Sequence, residues 1–133
     1  MKLTNSSEYA LLALVYLARH QGEGFISVEK VALAQNIPRK FLERILHTMK
    51  HPKLVHSAKG QHGGYQLARP AEQINLADVI RLFEGALAPT ESASTYFYES
   101  TPIEKEANLL RVFREIRDYI SEKLENTTLA DIM

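Results

Sequence analysis

Arg39, Lys40, Glu43 and Arg44 place four charged side chains within six positions, and Lys59, Gly60, Gln61, His62 and Gly63 follow as a short basic, glycine-containing run. Guanidinium and ammonium groups donate to guanine O6 and N7 or to phosphate oxygens, and a carboxylate such as Glu43 accepts from cytosine N4. Arg44 reads either as a second donor or as the partner that orients Glu43. Lys59 and His62 would approach a minor groove or its phosphates, and Gln61 is the tip residue best able to hydrogen-bond there. Lys2 and Thr4 complete the candidate set of DNA-contacting residues. Any one of these groups would fit a solvated face equally well; their adjacency, order and shared positive sign make the joint case.

Other chemistries find little support. The chain has no cysteine, so disulfides, thiolate catalysis and cysteine-held iron or zinc are excluded. His20, His47, His51 and His56 lack the companion ligands of a metal set, so neither a metal nor a cofactor is expected. Serine, histidine and acidic residues occur without a spacing that would activate a nucleophile, and no GxxxxGK phosphate loop is present, so an enzyme is not expected. No run approaches 18 apolar residues, and Met1 to Asn5 leads into an amphipathic helix, which implies a cytoplasmic protein.

Formal net charge is +0 over 133 residues, but the charge is split. Through Pro70, ten Lys or Arg face four Glu, a balance of +6; the remainder holds six bases and twelve acids, a balance of −6. Such asymmetry suits a chain whose first half meets a polyanion while the second stays off it, because phosphate neutralisation is local.

The elements that must position these residues can be read from spacing. Residues 8 to 20 show helical periodicity in Tyr9, Leu11, Leu14, Val15 and Leu17. Ser27 is a good N-cap for a helix over Val28 to Ala34. Asn36, Ile37 and Pro38 then close a turn and start a helix to about Lys50, burying Leu42, Ile45, Leu46 and Met49 and leaving the charged set outside. Leu54 to Ser57 and Tyr65 to Ala68 are the arms of a β-hairpin whose turn uses Gly60, Gly63 and Gly64. Asn75 and Asp78 open a helix that ends at Gly85. Thr101 as cap, Pro102 at the first position and Glu104 completing a capping box open a last long helix reaching about Glu125.

The fold class that follows is mainly α with a small β-hairpin: a winged helix-turn-helix plus a long C-terminal dimerisation helix. The expected division is a DNA-binding domain over 1–85, an effector or linker loop over 86–101, the dimerisation helix over 102–125 and a tail over 126–133. Ile103, Ala107, Leu110, Phe113, Ile116, Ile120 and Leu124 form an apolar stripe on that helix, broadened by Leu109 and Val112. A homodimer is expected from its length, the alternative being a helix that wraps over its own domain.

The chain resembles the Rrf-two family of bacterial transcriptional regulators, the group holding the iron-sulfur cluster regulator, the nitric-oxide-sensing repressor and the cysteine-metabolism repressor. The likeness runs through MKLTNSSEYALLALVYLA, IPRKFLERILHTMK, LVHSAKGQHGGYQLARP, INLADVIRLFEG and TTLAD. It implies a winged-helix homodimer bound to an imperfect palindrome, with base contacts around Arg39, Lys40 and Glu43 and a wing contact from Lys59 to His62; the leading function is a repressor or dual regulator of transcription. Relatives that sense with an iron-sulfur cluster hold it through three cysteines, and the matching positions here fall near Ser92, Tyr98 and Glu104. Soft sulfur ligands are missing there, so a conventional cluster is not expected. An unidentified small molecule or protein would then be the effector, with Tyr96, Phe97 and Tyr98 either lining its pocket or merely packing the loop down. The competing function is a protein-interaction module that uses a winged-helix scaffold without touching DNA.

Overall fold

A computed structural model describes residues 1–133, ordered as α1 (Asn5–Arg19), α2 (Val28–Gln35), α3 (Arg39–Thr48), β1 (Val55–Ala58), β2 (Gly64–Leu67), α4 (Leu76–Glu84), α5 (Ala107–Glu125) and α6 (Leu129–Ile132). Short 3-10 turns lie at Ala71–Gln73, Glu91–Ala93 and Pro102–Lys105. No helix is long and apolar enough to cross a membrane.

Local chemistry explains the main boundaries. The Ser27 hydroxyl accepts from the Lys30 amide at 3.2 Å and caps α2. Asn36 takes a left-handed conformation (φ 58°) that ends α2, and the Ile37 amide donates to the Ala32 carbonyl at 2.9 Å, so α3 can begin directly after Pro38. Leu42, Ile45 and Leu46 of α3, and Met49 after it, are buried against α1 and α2 in the main core. The Asn75 side chain accepts from the Asp78 amide at 2.8 Å and opens α4, which stops at Gly85.

Strands β1 and β2 pair antiparallel, with Val55 opposite Leu67 and Ala58 opposite Gly64. The hairpin is seated by a single-residue bridge that the sequence pattern did not reveal: Ile26 and Tyr65 exchange two backbone hydrogen bonds of 2.8 Å. Gly64 makes this possible, since a Cβ there would lie 2.1 Å from the Ile26 carbonyl oxygen.

One element differs from the sequence reading. The long helix begins at Ala107, not at Pro102, and its 19 residues span about 28 Å at 1.5 Å each. The Thr101 side chain, expected to cap it, is instead bonded to Ser92, and the Glu104 carboxylate accepts from Ser100 and Tyr98, so the capping box never forms and 102–105 is only a 3-10 turn. The tail after Asn126, where one more short turn is expected, forms α6 behind a Thr128–Asp131 capping box. Leu129 is fully buried in the main core, and backbone bonds from Leu76 to Thr127 and from Leu129 to Ile74 stitch the segment to the start of α4.

Candidate nucleic-acid interface

The surface is built from the outer face of α3 and the hairpin beside it. Alternating helical phase sends Leu42, Ile45 and Leu46 inward and leaves Arg39, Lys40, Glu43 and Arg44 exposed together. Arg39 is held by two carboxylates: Nη2 lies 2.7 Å from Glu29 Oε1 on α2, and Nε donates to Glu43 Oε1 at 3.1 Å. Glu43 therefore turns to Arg39 and not to Arg44. The Arg44 guanidinium stacks over the Phe41 ring at 5.3 Å, and Phe41 in turn meets the edge of Tyr9 at 6.1 Å. Lys40, Arg44, Lys59 and Lys2 make no ion pair with any carboxylate.

Lys59, Gly60, Gln61 and His62 are exposed at the hairpin tip, and Gly63 is half-buried. The turn closes through the Gly63 amide donating to the Gly60 carbonyl at 3.0 Å, with Gly60 at φ 103°, a conformation that side chains resist. Gln61, His62 and Gly63 also border a cleft shared with Tyr16, His20, Glu23 and Lys30, so the tip stands beside the start of α2. Tyr65, on the second arm, has its phenol pKa raised, first by burial and then by the nearby Glu43 carboxylate, which places hairpin and α3 in one electrostatic neighbourhood.

Lys2 is exposed, whereas Thr4 is occupied. Its amide and hydroxyl both donate to Glu84 Oε2, at 2.7 and 2.6 Å, and the fully buried Ser7 hydroxyl donates to the same oxygen. Burial pushes the Glu84 pKa up, but the bonds from Ser7 and Thr4 and the amino-terminal charge outweigh it, and the net pKa is lowered. The end of α4 is thus tied to the start of α1. Sequence reasoning missed Glu84 and Glu29; the signal for the former was Ser7, a polar residue on the buried phase of α1 with Ala10, Leu14 and Leu17.

Of the apolar stripe expected to face a second copy, Leu110 is buried and Ile103, Phe113, Ile120 and Leu124 are half-buried within the chain. Ile103, Leu110 and Phe113 pack with Ala88 and Ala93, while Ile120 and Leu124 pack against Ala77, Ile80 and Leu87. Ala107 is exposed at the first position of α5. The face left uncovered runs through Leu109, Val112, Ile116 and Tyr119, exposed by 44, 47, 41 and 72 %. Their spacing of three and four residues makes one stripe.

In the loop between α4 and α5, Ser92 is buried and its hydroxyl lies 2.5 Å from that of Thr101, which is 3.2 Å from Thr90. Tyr98 donates to Glu104, and Ser100 donates to the other carboxylate oxygen at 2.5 Å. Ser92 is thus bonded to threonine hydroxyls and Tyr98 to Glu104 in two separate sets, and no group of three or more His, Asp or Glu side chains converges to hold a metal ion. Tyr96, Phe97 and Tyr98 are all exposed. Tyr96 lies under the Arg81 guanidinium at 5.1 Å beside a shallow cleft of about 320 Å³ that neither Phe97 nor Tyr98 lines.

With this geometry in place, comparison with known proteins is direct. The sequence pattern of the Rrf2 family, described as an iron-dependent transcriptional regulator, matches residues 3–133. Protein rrf2 of Nitratidesulfovibrio vulgaris is 34% identical over 135 residues, covering 100% of this chain and 87% of the relative. The solved structure of CymR, the global cysteine regulator of Bacillus subtilis, superposes with a TM-score of 0.78 at 30% identity over 99% of this chain and 95% of that one. The structure of IscR from T. potens gives 0.76 at 30% identity over 99% and 85%.

Proposed function

The chain belongs to the Rrf2 family of winged-helix, DNA-binding transcriptional regulators, and from that premise we propose that it represses transcription as a homodimer bound to an imperfect palindrome. The observation that carries this reading is the exposed face of α3, where Lys40 and Arg44 are free of carboxylates and Arg39 is fixed at the helix start, beside a hairpin tip bearing the equally unpaired Lys59. In the major groove the first turn of such a helix comes closest to base edges, so Arg39 and Lys40 donate to bases or adjacent phosphates. Lys59 to Gly63 follow the neighbouring backbone.

A second copy covers Leu109, Val112, Ile116 and Tyr119 of α5, the stripe that the chain itself leaves open, and so sets two α3 helices against successive major grooves about 34 Å apart. Iron-sulfur control does not fit this chain. Ser92, Tyr98 and Glu104 offer oxygen where a cluster needs soft sulfur, and their hydrogen bonds are already taken. The reading places control by a small molecule or partner protein on loop 86–101, and a metabolite screen that leaves operator affinity unchanged throughout counts against that part of it.

The test is selection of bound duplexes from a random library, followed by footprinting. The expected product is two half-sites about one helical turn apart. Arg39→Ala should cost about 1–3 kcal/mol and relax one operator position, whereas Lys59→Ala should weaken all sequences and lower the salt slope by about one. Binding that ignores both substitutions would refute the assignment of this surface.

A further inference from the structure

We infer that Glu29 is a specificity-determining positioning residue, which aims Arg39 at a base edge and penalises binding to duplexes that offer Arg39 no partner. This rests on the placing of α3 in the major groove proposed above. The starting observation is the meeting of two helices at one guanidinium: Glu29 from the first turn of α2 at 2.7 Å and Glu43, one turn along α3, at 3.1 Å. Of the four acidic side chains before Pro70, two are therefore spent on a single arginine, while Lys40 next to it has none.

The geometry at the guanidinium decides what remains. Nε donates to Glu43, and Nη2 makes a charge contact with Glu29. The fork keeps the edge shared by Nη1 and Nη2, one hydrogen from each, which is a two-donor edge of the kind guanine O6 and N7 accept. Carboxylates from two separate elements hold the plane of the fork, so the edge is oriented before DNA arrives and little side-chain freedom is left to lose.

In the free protein this network contributes little, because Arg39 and Glu29 are 58 and 56 % exposed and water screens the pairs. At a duplex surface water is displaced and every charge interaction strengthens as the effective dielectric falls. Two carboxylates then sit close to a polyanion. With the right base, the remaining Arg39 donors repay that repulsion; with the wrong one, they do not. Glu29 thus subtracts from all binding and Arg39 restores it selectively, which is discrimination by a built-in repulsive element.

The experiment measures affinity by fluorescence anisotropy, at one salt concentration, for a duplex selected by the wild-type protein and for a scrambled duplex of the same composition. The proteins are the full-length wild type, Glu29→Gln, Arg39→Ala and the double substitution, each checked for an unchanged melting temperature. Glu29→Gln is expected to tighten scrambled-duplex binding by about 3- to 10-fold and to cut the ratio of selected to scrambled affinity by about 10-fold, a change on the scale of one base contact. In the Arg39→Ala background, Glu29→Gln should no longer alter base preference, and Glu29→Asp should retain part of the ratio. A ratio unchanged by Glu29→Gln, with Arg39→Ala still lowering it, overturns the role of Glu29 and leaves the groove reading standing. A ratio indifferent to Arg39→Ala overturns both.

Discussion

The hairpin that carries Lys59 and the loop that carries Tyr96 to Tyr98 both project chemistry-bearing side chains, but they are held in opposite ways. The hairpin is fixed by backbone: paired strands, two reciprocal bonds between Ile26 and Tyr65, and a glycine, Gly64, where the chain passes close to Ile26. The loop from Ala86 to Glu106 has no paired strands: alongside isolated backbone turns such as Ser94 to Glu91, it is held by side chains, through Ser92 with Thr101, Ser94 with Phe97, and Glu104 with Tyr98 and Ser100. Backbone pairing resists change because a shifted register moves every side chain at once. A clasp of hydroxyls and carboxylates can be exchanged one residue at a time.

The contrast can be broken most severely at Gly64. A valine there would drive its Cβ into the Ile26 carbonyl at a backbone angle side chains resist, and about 3 kcal/mol or more of stability should be lost in thermal unfolding, with the hairpin displaced and DNA binding with it. A melting temperature close to wild type would show that the hairpin is less constrained than its bonding indicates.

Next comes Glu84, the tie between α4 and α1. Glu84→Ala leaves the buried Ser7 hydroxyl and the Thr4 donors without their acceptor, and a loss of about 1–3 kcal/mol is expected in urea titration. The acid side sharpens this. Because the folded pKa lies below the unfolded carboxylate value near about 4.3, the contribution is complete above that pH and fades as pH falls through the lowered folded value. Glu84→Gln should flatten that part of the stability curve, and an unaltered acid slope would remove Glu84 from the account.

The loop clasp should yield smaller effects. Ser92→Ala deletes a buried hydroxyl bonded to Thr101 and should cost about 1 kcal/mol, read by accelerated amide exchange confined to the loop. Tyr98→Phe removes an exposed bond to Glu104 and should leave the melting temperature unchanged. If Tyr98→Phe unfolds the loop while Ser92→Ala does not, the clasp is ordered the other way round.

Legibility in the sequence followed the same division. The Ser27 and Asn75 caps, the glycine turn of the hairpin and the inward phase of Leu42, Ile45 and Leu46 were readable because each is decided within a few residues. Thr101 and Glu104 misled for a physical reason: their side chains were claimed by Ser92, Ser100 and Tyr98, partners that a local capping pattern does not announce. On α5, periodicity identified apolar positions but could not say which of two faces the chain covers itself, and Leu110, Ile120 and Leu124 turned inward while Leu109 and Tyr119 stayed out. Of the candidate contact residues, exposure was legible from helical phase; the two carboxylates on Arg39 were not, because Glu29 arrives from another helix.

The absence of cysteine offers a direct test of the paired arrangement, since a single introduced thiol gives one spin label per subunit. With His47→Cys, exposed near the end of α3 and away from the first turn, pulsed dipolar spectroscopy should report one dominant distance of about 34 Å that narrows when operator duplex is added. No dipolar signal at all, or a distance on the duplex that two successive major grooves cannot accommodate, would contradict it.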